Sequence, residues 1–413
     1  MTRPSIHGVR ALKLSDAASD PFIGGADAAH DLRARSERVA AIAAAHAVAV
    51  DRDARFPAEA IAAARTERLL GISVPRELGG EGATVSEVAD ICYRLGRACS
   101  STAMIYAMHQ TKVACIVRHG RDSVWHQKLL LRLAAEQLLL ASSTTEGQGG
   151  GNVRSSAAAI ERDNARISLE RAATVISYGA YADGVVTIAR RASDAPNSDQ
   201  VLVAFLKEDY SLEPLQGWDT LGMRGTCSAG FKLRAAGGGE QILPDAYDKI
   251  HAETMTPVAH LLWASVWTGI AAASVERAQA FTRNAARGAN GQLPPGAAHF
   301  SKASASLRVL RAFLTATLKA YQQALNDERM LASIDFQTRI NLAKVDASEL
   351  AVSTVMSALR ACGLSGYRND GDFTIGRLLR DVLSSPIMIN NDRILANVAA
   401  ASLVSTVPAS LGD

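Results

Sequence analysis

The strongest constraint on this chain lies in its last third. Val258–Ala286, Ser301–Asn326 and Leu331–Cys362 each keep an apolar repeat of helical period over roughly thirty residues. Helices of that length have apolar faces too large to leave in water, so they must bury one another in a bundle. Shorter helices are expected at Asp372–Leu383 and Ile387–Ser402.

Ahead of the bundle the texture differs twice. From Ala29 to Leu70 two helical stretches are expected to break at Pro57, whose ring removes a backbone donor. Thr84 and Glu87 have the spacing of a capping box, and helices are expected over Val85–Gly96, Ser101–His119 and Asp122–Glu136. Gly96 and Gly120 stand where C-terminal caps are expected. After Leu140 come short segments, several rich in valine and isoleucine, separated by polar turns: Val153–Ile160, Ala165–Leu169, Gly184–Ala189, Val201–Leu206 and Gly230–Leu233. The fold class is therefore α+β, mainly α. Residues 1–28 read as a flexible N-terminus, 29–139 as an N-terminal α-helical domain, 140–250 as a central β domain and 251–413 as a C-terminal helical bundle.

Composition excludes several functions. The net charge of +3 is spread without a basic run, which argues against nucleic acid or an anionic membrane as partner. The five cysteines form no C-x-x-C pair and no ligand spacing, so no metal site is expected. No apolar signal segment opens the chain, and the most apolar run, Leu261–Val275, is cut by Glu276 and Arg277. The expected setting is cytoplasmic, with no membrane span.

Four motifs carry more. Ser142-Ser143-Thr144-Thr145-Glu146-Gly147-Gln148-Gly149-Gly150-Gly151-Asn152 resembles the acyl-CoA dehydrogenase signature Thr-Glu-Pro-Gly-Ala-Gly-Ser-Asp. Val175-Ile176-Ser177-Tyr178-Gly179, followed by Ala182-Asp183, is similar to that family's Trp-Ile-Thr-Asn-Gly and Ala-Asp. Leu221-Gly222-Met223-Arg224-Gly225-Thr226 is similar to Leu-Gly-x-Arg-Gly-Thr/Ser, and Gly363-Leu364-Ser365-Gly366-Tyr367 with Arg380-Asp381 resembles the family's C-terminal Gly-Gly-x-Gly-Tyr and Arg-Asp. Their order inside a helix–β–helix chain makes the set far more specific than any one string.

The resemblance implies a central β-barrel-like domain, a C-terminal four-helix bundle, and a flavoprotein oxidoreductase that passes hydride from an acyl thioester, an acyl-CoA, to flavin N5. It implies FAD as cofactor (FMN in one branch), a homotetramer or homodimer, and an electron-transfer flavoprotein or a flavin reductase as redox partner. Ser142, Ser143, Thr144, Thr145, Gly150 and Gly151 would meet one side of the flavin, and Val175, Ile176 and Ser177 the other, polarising the edge where charge gathers on reduction.

The sequence departs from the family at two places. Counting from Arg380-Asp381 puts Ile389 where a glutamate base is expected, and isoleucine takes no proton. Asp392 lies one helical turn on; the alternative base position, Thr256–Trp263, offers His260 and no carboxylate. The arginine expected against the flavin pyrophosphate falls on Ala285, leaving Arg287 nearby, with Arg360 and Gly363 at the later site. Three readings stay open. One is an acyl-CoA dehydrogenase-like enzyme with an unusual base. Another is a two-component reduced-flavin (FMN) monooxygenase, using His109 with Ser142 or Ser143 in a dry pocket. The third is a catalytically silent flavin- or acyl-binding partner.

Overall fold

The structure is a computed structural model that describes residues 26–145, 156–403 and 410. Residues 1–25 of the expected flexible lead, Val153 to Ser155 of the first expected strand, and Gly150 and Gly151 lie outside the described residues.

Helices α1 (Ala26–Arg52) and α2 (Ala58–Thr66) are separated at Pro57. Helix α3 (Val85–Ala98) starts on the expected box: Thr84 N–H donates to Glu87 Oε2 at 2.7 Å, and Glu87 N–H to Thr84 Oγ1 at 3.2 Å. Helix α4 (Ser100–His119) ends where the Gly120 N–H meets the Ile116 carbonyl, and α5 (Val124–Glu136) follows. Helix α4 is buried almost all round, which marks an element enclosed by others.

Seven strands come next: β1 (Leu140–Ser143), β2 (Glu161–Asp163), β3 (Arg166–Ala173), β4 (Gly184–Arg190), β5 (Gln200–Leu206), β6 (Tyr210–Gln216) and β7 (Gly230–Gly238). They form a three-stranded sheet, β1-β4-β5, and a four-stranded sheet, β2-β3-β7-β6. Strand β1 runs parallel to β4, with Leu140 opposite Gly184; the other pairs are antiparallel. Val185, Val203 and Phe205 share one core with Ile167, Leu169 and Leu233. Among the described residues the two sheets do not close on each other, so the expected barrel is replaced by two open sheets. The described part of the first expected strand makes only an isolated bridge, Ala159 to Arg190. Strand β6 was not expected. It is mostly exposed and carries Pro214, which an edge strand tolerates, and so lacks an apolar alternation.

The C-terminal part begins with α6 (Tyr247–Ile250), a π-helical turn at His251–Met255, and α7 (Thr256–Gly288). Then come α8 (Ala297–Ala324), α9 (Glu328–Ala332), α10 (Ile334–Cys362), α11 (Leu364–Tyr367), α12 (Gly376–Val382) and α13 (Asn391–Ser402). Helices α7, α8 and α10 pack on one another and α13 lies against α10 as the fourth member of the bundle. Tyr247–Gly288 is one continuous helix, apolar and long enough to cross a bilayer by composition, but its apolar window is wholly buried in the protein. The helix runs through Pro257 because the break is absorbed as the π turn. Proline lacks the N–H that would bond the carbonyl four residues back, at Glu253. The Tyr321 hydroxyl takes that carbonyl at 3.1 Å, and Gln337 Nε2 takes the Ala252 carbonyl at 2.8 Å.

Gly96 is not a cap. It lies inside α3, where a Cβ would stand 2.5 Å from the Val266 carbonyl oxygen of α7. Gly269 answers it from α7: its Cβ would fall 2.3 Å from the Tyr93 carbonyl oxygen and 3.0 Å from the Gly96 Cα. The two glycines let α3 and α7 cross with backbones in contact, and α4 is held beside that crossing.

Candidate functional site

A cavity of about 1390 Å³ runs beside α4, exceeding the roughly 300–1,000 Å³ of an ordinary small-molecule pocket. Its size suits two molecules side by side. One wall is rich in hydroxyls: Ser142, Thr144 and Thr145 at the end of β1, Ser177 after β3, and Thr226 and Ser228 before β7. Ser228 Oγ donates to Ser177 Oγ at 2.8 Å and lies 2.8 Å from Thr226 Oγ1. Among the described residues Ser177 only accepts in this chain, which leaves its own proton for the cavity. Val175 lines the cavity too, whereas Ile176 turns into the core and its N–H donates to the Ala229 carbonyl. Ser143 also points away. Its carbonyl accepts from Thr187 Oγ1 at 2.8 Å, and its buried hydroxyl has no partner among the described residues.

The wall is built from the motifs. Tyr178, at φ 44°, ties two of them together: its N–H meets the Thr226 carbonyl and its hydroxyl the Leu140 carbonyl at 3.0 Å. The Met223 N–H donates to the buried carboxylate of Asp381 at 2.7 Å. A Cβ on Gly222 would sit 2.1 Å from the Arg380 carbonyl oxygen, so this turn docks on the Arg380-Asp381 pair only as glycine. Arg380 pairs with Asp51. Burial pushes the Asp381 carboxyl up, against the pull of Arg377.

His109 does not line the cavity. Its Nε2–H donates to the Leu70 carbonyl at 2.9 Å, and its Nδ1 accepts from the Leu140 N–H at 3.0 Å, a tautomer assigned from those bonds. Burial pushes it down to about 4. The expected pocket histidine is thus a structural one that fastens β1 to α4, with no nitrogen left for a ligand. The cavity face of α4 carries Met104, Met108, Thr111 and Lys112 instead.

His260 does line the cavity. Burial, with the charge of Lys344, pushes it down to about 3, so its ring is neutral; Trp263 stands 5.8 Å away, centroid to centroid. Ile389 lines the cavity at φ 54°. Asp392 does not: it is exposed in the first turn of α13, its N–H bonded to Asn390 Oδ1, so it serves the helix end and not the pocket. The segment bearing Ile389 is pinned from beneath by buried Lys344, whose Nζ donates to the Ser385 carbonyl at 3.0 Å and to Asn391 Oδ1 at 2.6 Å.

Among the described residues two carboxylates touch the cavity, Asp248 and Glu253. Asp248 is exposed; Glu253 is buried and salt-bridged to Arg118 at 3.1 Å. Arg118 lies fourteen positions beyond Met104 on α4, about 21 Å at 1.5 Å per residue, so Glu253 sits toward the end remote from the hydroxyl wall. Sequence reasoning missed Glu253 because it falls one turn ahead of Thr256–Trp263, inside the π turn. Arg287, Arg360 and Gly363 are exposed and lie outside the cavity.

The sequence matches the model of the acyl-CoA dehydrogenase N-terminal domain over residues 27–137 and that of the C-terminal domain over residues 252–404. It is 23% identical over 366 residues to "Probable acyl-CoA dehydrogenase FadE25" of Mycobacterium tuberculosis, covering 87% of this chain and 90% of that protein. The FMN-bound structure of TdsC from Paenibacillus sp. A11-2 superposes with a TM-score of 0.79 at 17% identity, covering 92% of this chain and 98% of that one. A nitrososynthase from Micromonospora carbonacea var. africana gives 0.77 at 22% identity, with 91% and 97% covered.

Proposed function

The chain belongs to the acyl-CoA dehydrogenase family, and from that premise we propose that it is a flavin-dependent oxygenase, working with reduced flavin delivered by a separate reductase. The observation that carries this reading is Ile389, an apolar side chain where α-proton removal from a thioester would need a carboxylate. Loss of a general base costs about 10²- to 10⁴-fold in rate, which disfavours dehydrogenation through that position.

The donor set fits a flavin. A flat ring with one polar edge needs hydroxyl and amide donors on that edge and apolar side chains along its body. Ser177, Ser142, Thr144 and Thr145 supply the first; Val175 and Met223 supply the second. Bound and reduced, a flavin would hand one oxygen atom of O₂ to the substrate and the other to water. The chain's own part is to present the Ser177 proton, exclude water with the methionines and Trp263, and keep His260 uncharged. FMN and the monooxygenase activity named with TdsC support this reading through the shared fold.

One observation favours a second reading. Glu253 is a buried carboxylate in the same cavity and would be the base of a dehydrogenase. Its ion pair with Arg118 and its distance along α4 weigh against that role.

The test is to load the purified chain with reduced FMN or FAD and follow oxygen consumption and the flavin spectrum, with a separate anaerobic arm in which the chain carries oxidised flavin and meets acyl-CoAs. Oxygen-dependent turnover with no anaerobic bleaching is expected. Catalytic bleaching by an acyl-CoA, abolished in Glu253→Gln, would replace the first reading with the second.

A further inference from the structure

Met104, Met108 and Lys112 follow one another on α4 at four-residue spacing, and all three line the cavity. That spacing puts them on one helical face, so an apolar track ends on an ammonium group. Lys112 is 4% exposed, and among the described residues its Nζ reaches only the Met255 sulfur, at 3.5 Å. The Tyr247 hydroxyl lies 3.5 Å from the same sulfur. The ammonium is thus offered only a thioether, a weak acceptor. The buried acid of the cavity, Glu253, is taken by Arg118. A buried ammonium without a counter-ion is costly, and proteins normally pair such a group.

We propose that Lys112 is the counter-ion for a substrate carboxylate, so that the cavity takes a small organic acid: stem along Met104 and Met108, carboxylate on Lys112 Nζ. The inference rests on the reading of this cavity as the substrate site. From Met104 to Lys112 the track is about 12 Å long at 1.5 Å per residue, a reach that suits a medium-length acid whose far end is presented to the hydroxyl wall. Burial draws the Lys112 amine down to about 8, which still leaves it mainly protonated at neutral pH. An arriving carboxylate would restore the partner that the protein withholds.

The experiment compares octanoate with octanamide on the full chain without flavin, reading tryptophan fluorescence, to which Trp218 and Trp263 contribute from the cavity wall, together with the thermal midpoint. Octanoate is expected to bind about ten- to a hundredfold more tightly than the amide, as one charge-assisted hydrogen bond provides. Lys112→Met and Lys112→Gln should abolish that preference. Equal binding of acid and amide by the wild-type protein overturns the proposal, and so does a preference that persists in either folded variant. The wild-type comparison decides the matter even if both variants misfold. A protein that takes no flavin yet prefers octanoate would sink the function proposed above and keep this site; one that takes flavin but does not discriminate would do the reverse.

Discussion

The Tyr321 hydroxyl, on α8, donates to the one carbonyl, Glu253, that Pro257 leaves without its α-helical donor. The π turn facing the cavity is therefore supported from a different helix. Tyr321→Phe should destabilise the fold by about 1–3 kcal/mol, the usual cost of stranding a buried polar group. Urea denaturation measures it; a loss below about 0.5 kcal/mol would mean the carbonyl finds another donor.

His109 gives a pH dependence of definite sign. Its folded value, about 4, lies below the ordinary 6.5, so the unfolded chain takes the proton first as pH falls. This contribution to stability is complete above pH 6.5 and is lost progressively as pH falls toward 4. Its full size is of order 3 kcal/mol. His109→Gln should flatten the stability profile over that window, whereas His109→Ala should strand the Leu140 N–H and lose about 1–3 kcal/mol at pH 7. Denaturation midpoints between pH 4 and 7 test both.

Ser177→Ala should weaken flavin binding about tenfold, since the variant loses a cavity hydroxyl with a proton to offer. Ser143→Ala should leave it unchanged, because that hydroxyl is turned away from the cavity. Quenching of flavin fluorescence on titration reads both affinities, and equal losses would count against the hydroxyl wall as described.

Lys344→Met should release the cavity segment without unfolding the chain. Replacing a buried ammonium by an apolar side chain is often neutral in stability, but the bonds to Ser385 and Asn391 disappear. Faster amide exchange confined to residues 384–391, with an unchanged core, is the expected result.

Gly96→Val should prevent folding, because its Cβ would lie 2.5 Å from the Val266 carbonyl oxygen and neither helix can retreat without repacking the core. The soluble yield and circular dichroism of the variant check this.

The sequence located the wall of the cavity better than its floor. Thr145, Val175 and Ser177 were found because glycine-rich turns and short hydroxyl motifs are local signals, and these residues do line one cavity. Lys112 and Glu253 left no such signal. Helix α4 is buried on nearly every side, so its pattern could not say which face meets the cavity: His109 was singled out and Lys112, three positions on, was not. The π turn shifts register just where Glu253 lies, so that counting from Pro257 as a helix start misses it. Whether the sheets close into a barrel depends on contacts between strands far apart in sequence, which no local pattern records.

The apolar stretch within Tyr247–Gly288 is finished long before its cover exists. The first residue of α10 follows the last of α7 after roughly 45 more have been added, and its last after more than 70. At about 5–20 residues per second the nascent chain therefore displays, for several seconds, a segment that a membrane-insertion apparatus sorting by hydropathy would accept. Of the elements made earlier, α3 and α4 are the ones that pack most closely on it. The Gly96–Gly269 contact is the close approach through which α3 can cover this helix before its later neighbours emerge.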